Sequence, residues 1–143
     1  MPKKILEILS SFEEVEKLNS ELKLIYQQSG MHPEDIIELE IIQVEALNNI
    51  VKHSYSGISG KKIKVELEVE SKIWKMKLID FGLPRKKLKV PELNFNPDKI
   101  ESLPESGMGL FLINKLTNYN HYIPHLDKNE FYLLKILRYE TVD

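Results

Sequence analysis

Glu45, Asn49 and His53 recur at four-residue steps in the run Glu45-Ala-Leu-Asn-Asn49-Ile-Val-Lys-His53-Ser-Tyr55. A step along an α-helix turns ~100°, so four-residue steps drift only ~40° and advance roughly 6 Å. The three side chains therefore fall on one polar stripe of a helix that is otherwise rich in Ile, Leu and Val. An asparagine amide oxygen is a hard, neutral ligand suited to Mg²⁺, an ion that keeps waters and substrate phosphates as its other ligands. A carboxylate one turn earlier could take a proton or orient a water beside such an ion. A polar edge satisfied by solvent is the plain alternative. A second group is Asp80-Phe81-Gly82. Asp80 shares the parity of Trp74, Met76 and Leu78, so it points to the apolar face of its strand, where a carboxylate without a partner is costly. An amino group such as the exocyclic amine of adenine would serve, and so would the amides of its own turn. Gly82 permits a sharp turn or a close approach to a ligand. The third group is Ser106-Gly107-Met108-Gly109, directly before the apolar Leu110-Phe-Leu-Ile113. Glycines that open a helix free its first amides to hold phosphate, and the helix dipole assists. An ordinary loop-to-helix junction has the same appearance.

The elements that must position these groups are legible from periodicity. Lys4 to Leu9 is a short apolar run that reads as an edge strand. Ser11 and Glu14 form a capping box, followed by a helical stripe of Phe12, Val15, Leu18, Leu22 and Ile25 that Gly30 ends. Pro33 suits the first position of a second helix, with Glu34 and Asp35 in its first turn. That helix is expected to run to about Lys52 or Tyr55 and to be buried on more than one side. From Lys62 the period changes to two: Ile63, Val65, Leu67 and Val69 alternate with charged residues, and after a turn at Ser71-Lys72 so do Trp74, Met76 and Leu78. Residues 83–106 carry prolines and the basic run Arg85-Lys-Lys-Leu-Lys89 without a clear period, which reads as a long lid loop. The basic run could hold a triphosphate or an acidic partner, or simply be solvated. A short helix from Leu110 to Thr117 and a strand near Phe131 to Arg138 complete the chain. The sum is α+β, a two-layer sandwich with helices on one face of a mixed, mainly antiparallel sheet.

Composition narrows the function. A chain of 143 residues fits one domain spanning 1–143 with a proper core. A net charge of −2 asks for neither nucleic acid nor an anionic membrane as the main partner. The absence of cysteine excludes disulfides and thiol chemistry. No apolar stretch approaches the roughly 18 residues of a membrane span, and the N-terminus does not read as a signal peptide, so a cytoplasmic location is expected. His32, His121 and His125 show no metal-ligand spacing.

In order and spacing, the three groups resemble the N box, the Asp-x-Gly box and the Gly-x-Gly-Leu box of the Bergerat-type (GHKL, histidine-kinase-like) ATPase superfamily. DNA gyrase B, the heat-shock chaperone, sensor histidine kinases and MutL share that fold. Within it the chain looks most like the bacterial anti-sigma-factor serine/threonine kinases. The compact size, the His53-x-Tyr55 ending and the stretch Glu105-Ser-Gly-Met-Gly-Leu-Phe-Leu-Ile113 carry that narrower likeness. The resemblance implies ATP and Mg as cofactors. It implies Asn49 as the Mg ligand, Glu45 as base for a serine hydroxyl, and Asp80 with Gly82 at the adenine. Gly107, Met108, Gly109 and Leu110 would hold phosphates, with Lys52 and His53 near the phosphate end. It further implies an anti-sigma-factor antagonist protein as substrate in a partner switch, a sigma factor as a further partner, and pairing of subunits through the first strand and helix. A module that binds ATP to gate a partner, without transfer, is the alternative. The chain departs from the pattern at Leu83-Pro84, where many relatives have a second glycine, and at Asn118, where the family has an aspartate. A threonine common in the last strand near adenine is replaced by Phe131 or a neighbour.

Overall fold

The computed structural model describes residues 1–85 and 108–138. Most of the expected lid, including Lys86 to Lys89, and Gly107 lie outside the described residues. Strand β1 (Lys4–Leu9) leads to helix α1 (Phe12–Gln28), whose start is fixed by Ser11 Oγ accepting the Glu14 N–H at 3.1 Å. Val15, Leu18, Leu22 and Tyr26 form its buried face. The inward stripe thus ends on Tyr26 rather than on Ile25, because the Tyr26 hydroxyl finds buried partners below. Gly30 closes the helix with a φ of 77°, the left-handed conformation glycine adopts freely.

Helix α2 (Pro33–Asn49) starts with Pro33 at its first position and with His32 Nδ1 accepting the Glu34 N–H at 3.1 Å. His32 therefore has a capping role. Ile36, Leu39, Ile42, Ala46 and Leu47 are buried against the sheet, while Ile37 faces outward at 57% exposure. Each aliphatic side chain so buried contributes about 1.5–3 kcal/mol. A π-helical turn, Ile50–Ser54, continues α2, with the Tyr55 N–H donating to Ile50 O at 3.1 Å. The helix reaches the expected end, but its last turn is wider than an α turn, a feature frequent at functional sites.

Strands β2 (Lys62–Glu70) and β3 (Ile73–Asp80) form the predicted hairpin, with Ser71 at a φ of 52° in its two-residue turn. Helix α3 (Met108–Leu116) then leads to β4 (Tyr119–Pro124) and β5 (Asn129–Ile136). The five strands lie in the order β1-β2-β3-β5-β4, and every pair is antiparallel. The sheet is therefore antiparallel throughout rather than mixed. Sequence periodicity did not reveal β4, because Tyr119-Asn-His-Tyr-Ile-Pro124 is short, largely polar and lies at an edge. Helices cover one face, where Ile63, Val65, Leu67, Trp74, Met76, Leu78, Phe131 and Leu133 make the core. The other face carries a ladder of charged residues across β2, β3 and β5, from Lys3 through Glu66 and Lys77 to Glu130 and His125. The Lys77 ammonium holds the Glu130 carboxyl down at about 2. Arg138 closes the fold by donating its backbone N–H to Asp35 Oδ2 at 2.8 Å and its guanidinium to Oδ1 and to Glu38. No helix among the described residues is long and apolar enough to cross a membrane.

Candidate functional site

The end of α2, the end of β3, the start of β5 and the start of α3 meet at one edge of the sandwich. Glu45 and Asn49 sit one turn apart on α2 and face the opening of α3. A Cβ added at Gly109 would stand 2.6 Å from Glu45 Oε2 and 3.6 Å from both amide atoms of Asn49. Glycine at 109 is thus what lets α3 approach the polar stripe, and the structure joins the first and third sequence groups at this point. Met108 and Leu110 flank it in the first turn of α3.

Beyond Asn49 the four-residue stripe ends. In a π turn the repeat is five, so the buried residue one turn on from Asn49 is Ser54, and His53 is exposed. Lys52 is exposed too, with its ammonium 5.8 Å from the ring centre of Phe12. The structure therefore brings Glu45, Asn49 and Gly109 together and leaves Lys52 and His53 on the rim.

Asp80 ends β3 on the helix-covered face and is 3% exposed, as its parity predicts. Its Oδ1 accepts the Gly82 N–H at 3.0 Å and an N–H of Asn129 Nδ2 at 2.9 Å. Burial pushes the Asp80 carboxyl up; the bonds from Asn129 and Gly82, the Ser54 hydroxyl and the Arg85 charge pull it back. Gly82 is required by a neighbouring backbone, since a Cβ there would fall on the Ser54 carbonyl and 2.9 Å from the Tyr55 ring. The same Ser54 carbonyl accepts the Leu83 N–H at 2.9 Å. Tyr55 Oη accepts the Phe81 N–H at 2.8 Å and donates to Lys62 O at 2.5 Å. The π turn thus grips the chain on both sides of Gly82, and Leu83-Pro84 follows without loss of that grip.

Several site residues had no signal in local spacing. Asn129 opens β5 opposite Asp80, a cross-strand pairing that only the register defines. The strand position beside Asp80 is therefore held by Asn129, two residues before Phe131. Tyr122 on β4 accepts the Arg85 N–H at 2.8 Å. The Arg85 guanidinium lies 4.4 Å from the ring centres of both Tyr122 and Phe131, and burial lowers its pKa. The first residue of the basic run is therefore packed on aromatics rather than solvated.

Among the described residues no cluster of three His, Asp or Glu could hold a metal alone. The donor set instead fits an ion that arrives with its own oxygens. Asn49 offers an amide oxygen that could meet a metal at the junction with α3, while its Nδ2, a donor, is buried with no hydrogen-bond partner among the described residues, as is the acceptor Asn48 Oδ1. Polar atoms left open at a helix end fit a site that a ligand completes.

Residues 8–130 match the family described as the histidine kinase-like ATPase domain. The chain is similar to the serine-protein kinase RsbW of Bacillus cereus strain G9842, with 33% identity over 95 residues, and equally to that of strain B4264. Each match covers 64% of this chain and 59% of the relative, so the likeness spans under two thirds of those proteins. In three dimensions the chain is similar to the crystal structure of the RsbU and RsbW domains of Rv1364c from Mycobacterium tuberculosis. The TM-score is 0.67 at 15% identity, covering 96% of this chain and 33% of that one, a likeness of fold.

Proposed function

This chain belongs to the histidine kinase-like ATPase domain family, and on that premise we propose that it is a Mg·ATP-dependent protein serine kinase of the anti-sigma-factor type. The observation that supports this most directly is the junction of α2 with α3. There Glu45, Asn49 and Gly109 converge, and the buried Asn49 Nδ2 has no hydrogen-bond partner among the described residues.

Each side chain has a task in this reading. Asn49 would hold Mg²⁺, which supplies charge neutralisation for the transferring phosphoryl group. The amides of Met108 to Leu110 at the opening of α3, with Gly107 before them in sequence, would hold phosphate oxygens, helped by the helix dipole. Asp80 accepts the adenine amine, and the aromatic pair Tyr122 and Phe131 lines the same face of the sheet. Lys52 and His53 sit on the rim toward the phosphates. Glu45 takes the proton from the attacking serine hydroxyl and orients its oxygen for in-line transfer. Catalysis rests on positioning and charge, with no covalent enzyme intermediate. The substrate is a small anti-sigma-factor antagonist in a partner switch that also engages a sigma factor, with the kinase acting in the cytoplasm as a homodimer.

Incubation with the cognate antagonist and ATP radiolabelled at its γ-phosphate tests this reading. Label should move to a serine of the antagonist, and Glu45→Ala should abolish transfer while nucleotide binding persists. Tight nucleotide binding with no transfer by the native chain would sink the kinase assignment and leave an ATP-gated binding module.

A further inference from the structure

We propose that Asn129 is the positioning residue for base recognition: its amide group fixes one oxygen of Asp80 and the chain beyond it, so that the other oxygen is presented to an amino group of the ligand. The proposal rests on the nucleotide-binding reading above and deepens it at the base.

Asn129 is 1% exposed and stands opposite Asp80 in the β3–β5 register. Its Nδ2 donates to Asp80 Oδ1 at 2.9 Å, to Gly82 O at 3.1 Å and to Leu83 O at 3.4 Å. The Gly82 N–H donates to that same Oδ1 at 3.0 Å. Both of these bonds to Asp80 fall on Oδ1, which directs Oδ2 to the donor the ligand brings. The other groups around Asp80 are Ser54 and Tyr55 from the π turn, Arg85 from the following chain and Tyr122 from β4. Arg85 is the only cation among them, and its guanidinium is engaged with two rings. Asn129 is neutral, so it orients the carboxylate without cancelling its charge. A carboxamide has two N–H donors where a hydroxyl has one. One NH₂ group can thus hold a carboxylate and backbone carbonyls at once, and so ties the base-reading oxygen to the chain leaving the site.

ATP and inosine triphosphate differ only along this edge of the base, with a 6-amino group and an N1 acceptor in one and a 6-oxo group and an N1–H donor in the other. Calorimetric titration of both, with Mg²⁺, into the native chain, Asn129→Ala and Asn129→Asp tests the assignment. The native chain should favour ATP. Asn129→Ala should cut that preference about tenfold, the size of one well-placed hydrogen bond to a charged group. Asn129→Asp sets a second carboxyl beside Asp80, which can donate to Oδ1 only when protonated. Its ATP affinity relative to the native chain at the same pH should therefore rise as pH falls from about 8 to about 5.5. Equal weakening of both nucleotides in Asn129→Ala, or a native-like pH profile in Asn129→Asp, would overturn the assignment. If Asn129→Ala does not fold, the pH profile of Asn129→Asp decides alone. A native chain that binds neither nucleotide overturns the nucleotide reading itself, and this assignment with it.

Discussion

The two ends of α2 treat their polar residues in opposite ways. In its first three turns every buried polar group has a protein partner. Asp35, fully buried, holds the Arg138 backbone and guanidinium. Gln43, also fully buried, accepts from Tyr26 Oη at 2.9 Å and donates to Asn19 Oδ1 at 2.6 Å, while Tyr26 Oη accepts from Trp74 Nε1 at 3.0 Å. One turn later Asn48 Oδ1 and Asn49 Nδ2 are buried with no hydrogen-bond partner among the described residues. An unsatisfied buried group costs about 1–3 kcal/mol. Polarity in the first part of the helix belongs to the fold, and polarity in the last turn is what the proposed nucleotide site would use.

That contrast can be broken at either end. Asn49→Ala should lower Mg-dependent ATP affinity about a hundredfold, near 2.7 kcal/mol, while leaving the thermal midpoint unchanged or higher. Calorimetry with and without Mg²⁺ reads the first and circular dichroism melting the second. Normal Mg·ATP binding by Asn49→Ala would remove the metal role and the contrast together. Tyr26→Phe should do the reverse. It leaves Trp74 Nε1 and Gln43 Oε1 without their shared partner, for a loss of about 2 kcal/mol in urea unfolding, with ATP affinity unchanged. A drop in ATP affinity there would mean that the two ends of α2 are one coupled unit.

How much of this was legible in the sequence follows from what local pattern can encode. Four of the five strands and all three helices announced themselves through period and caps, because those signals lie within a few residues. Asp80 was placed correctly on the buried face by parity alone. The close approach of Gly109 to Glu45 joined two groups that sequence order had only suggested belonged together. The partners of Asp80 were not legible. Asn129 meets it across a strand register, and Tyr122 sits on β4, an edge strand too short and polar to show a clear period. The exposure of His53 was hidden too, since α-helical spacing cannot foresee a π turn that changes the repeat after Asn49. The requirement for Gly82 was legible as a close approach, but the neighbour is the Ser54 backbone.

The central claim is that this edge binds Mg·ATP with Asp80 reading the base, and Asp80→Asn tests it most directly. ATP is titrated into the native and Asp80→Asn chains, and both are melted without ligand across pH. Burial raises the Asp80 pKa in the folded state above its ordinary value of 3.8. The folded chain thus binds the extra proton, and stability falls as pH rises through that window. At neutral pH Asp80→Asn should therefore melt higher than the native chain, with a flatter pH dependence, while its ATP affinity is lost. Saturable binding of one ATP by the native chain, abolished in a more stable Asp80→Asn, is the predicted result. An Asp80→Asn chain that binds ATP as tightly as the native one would contradict it.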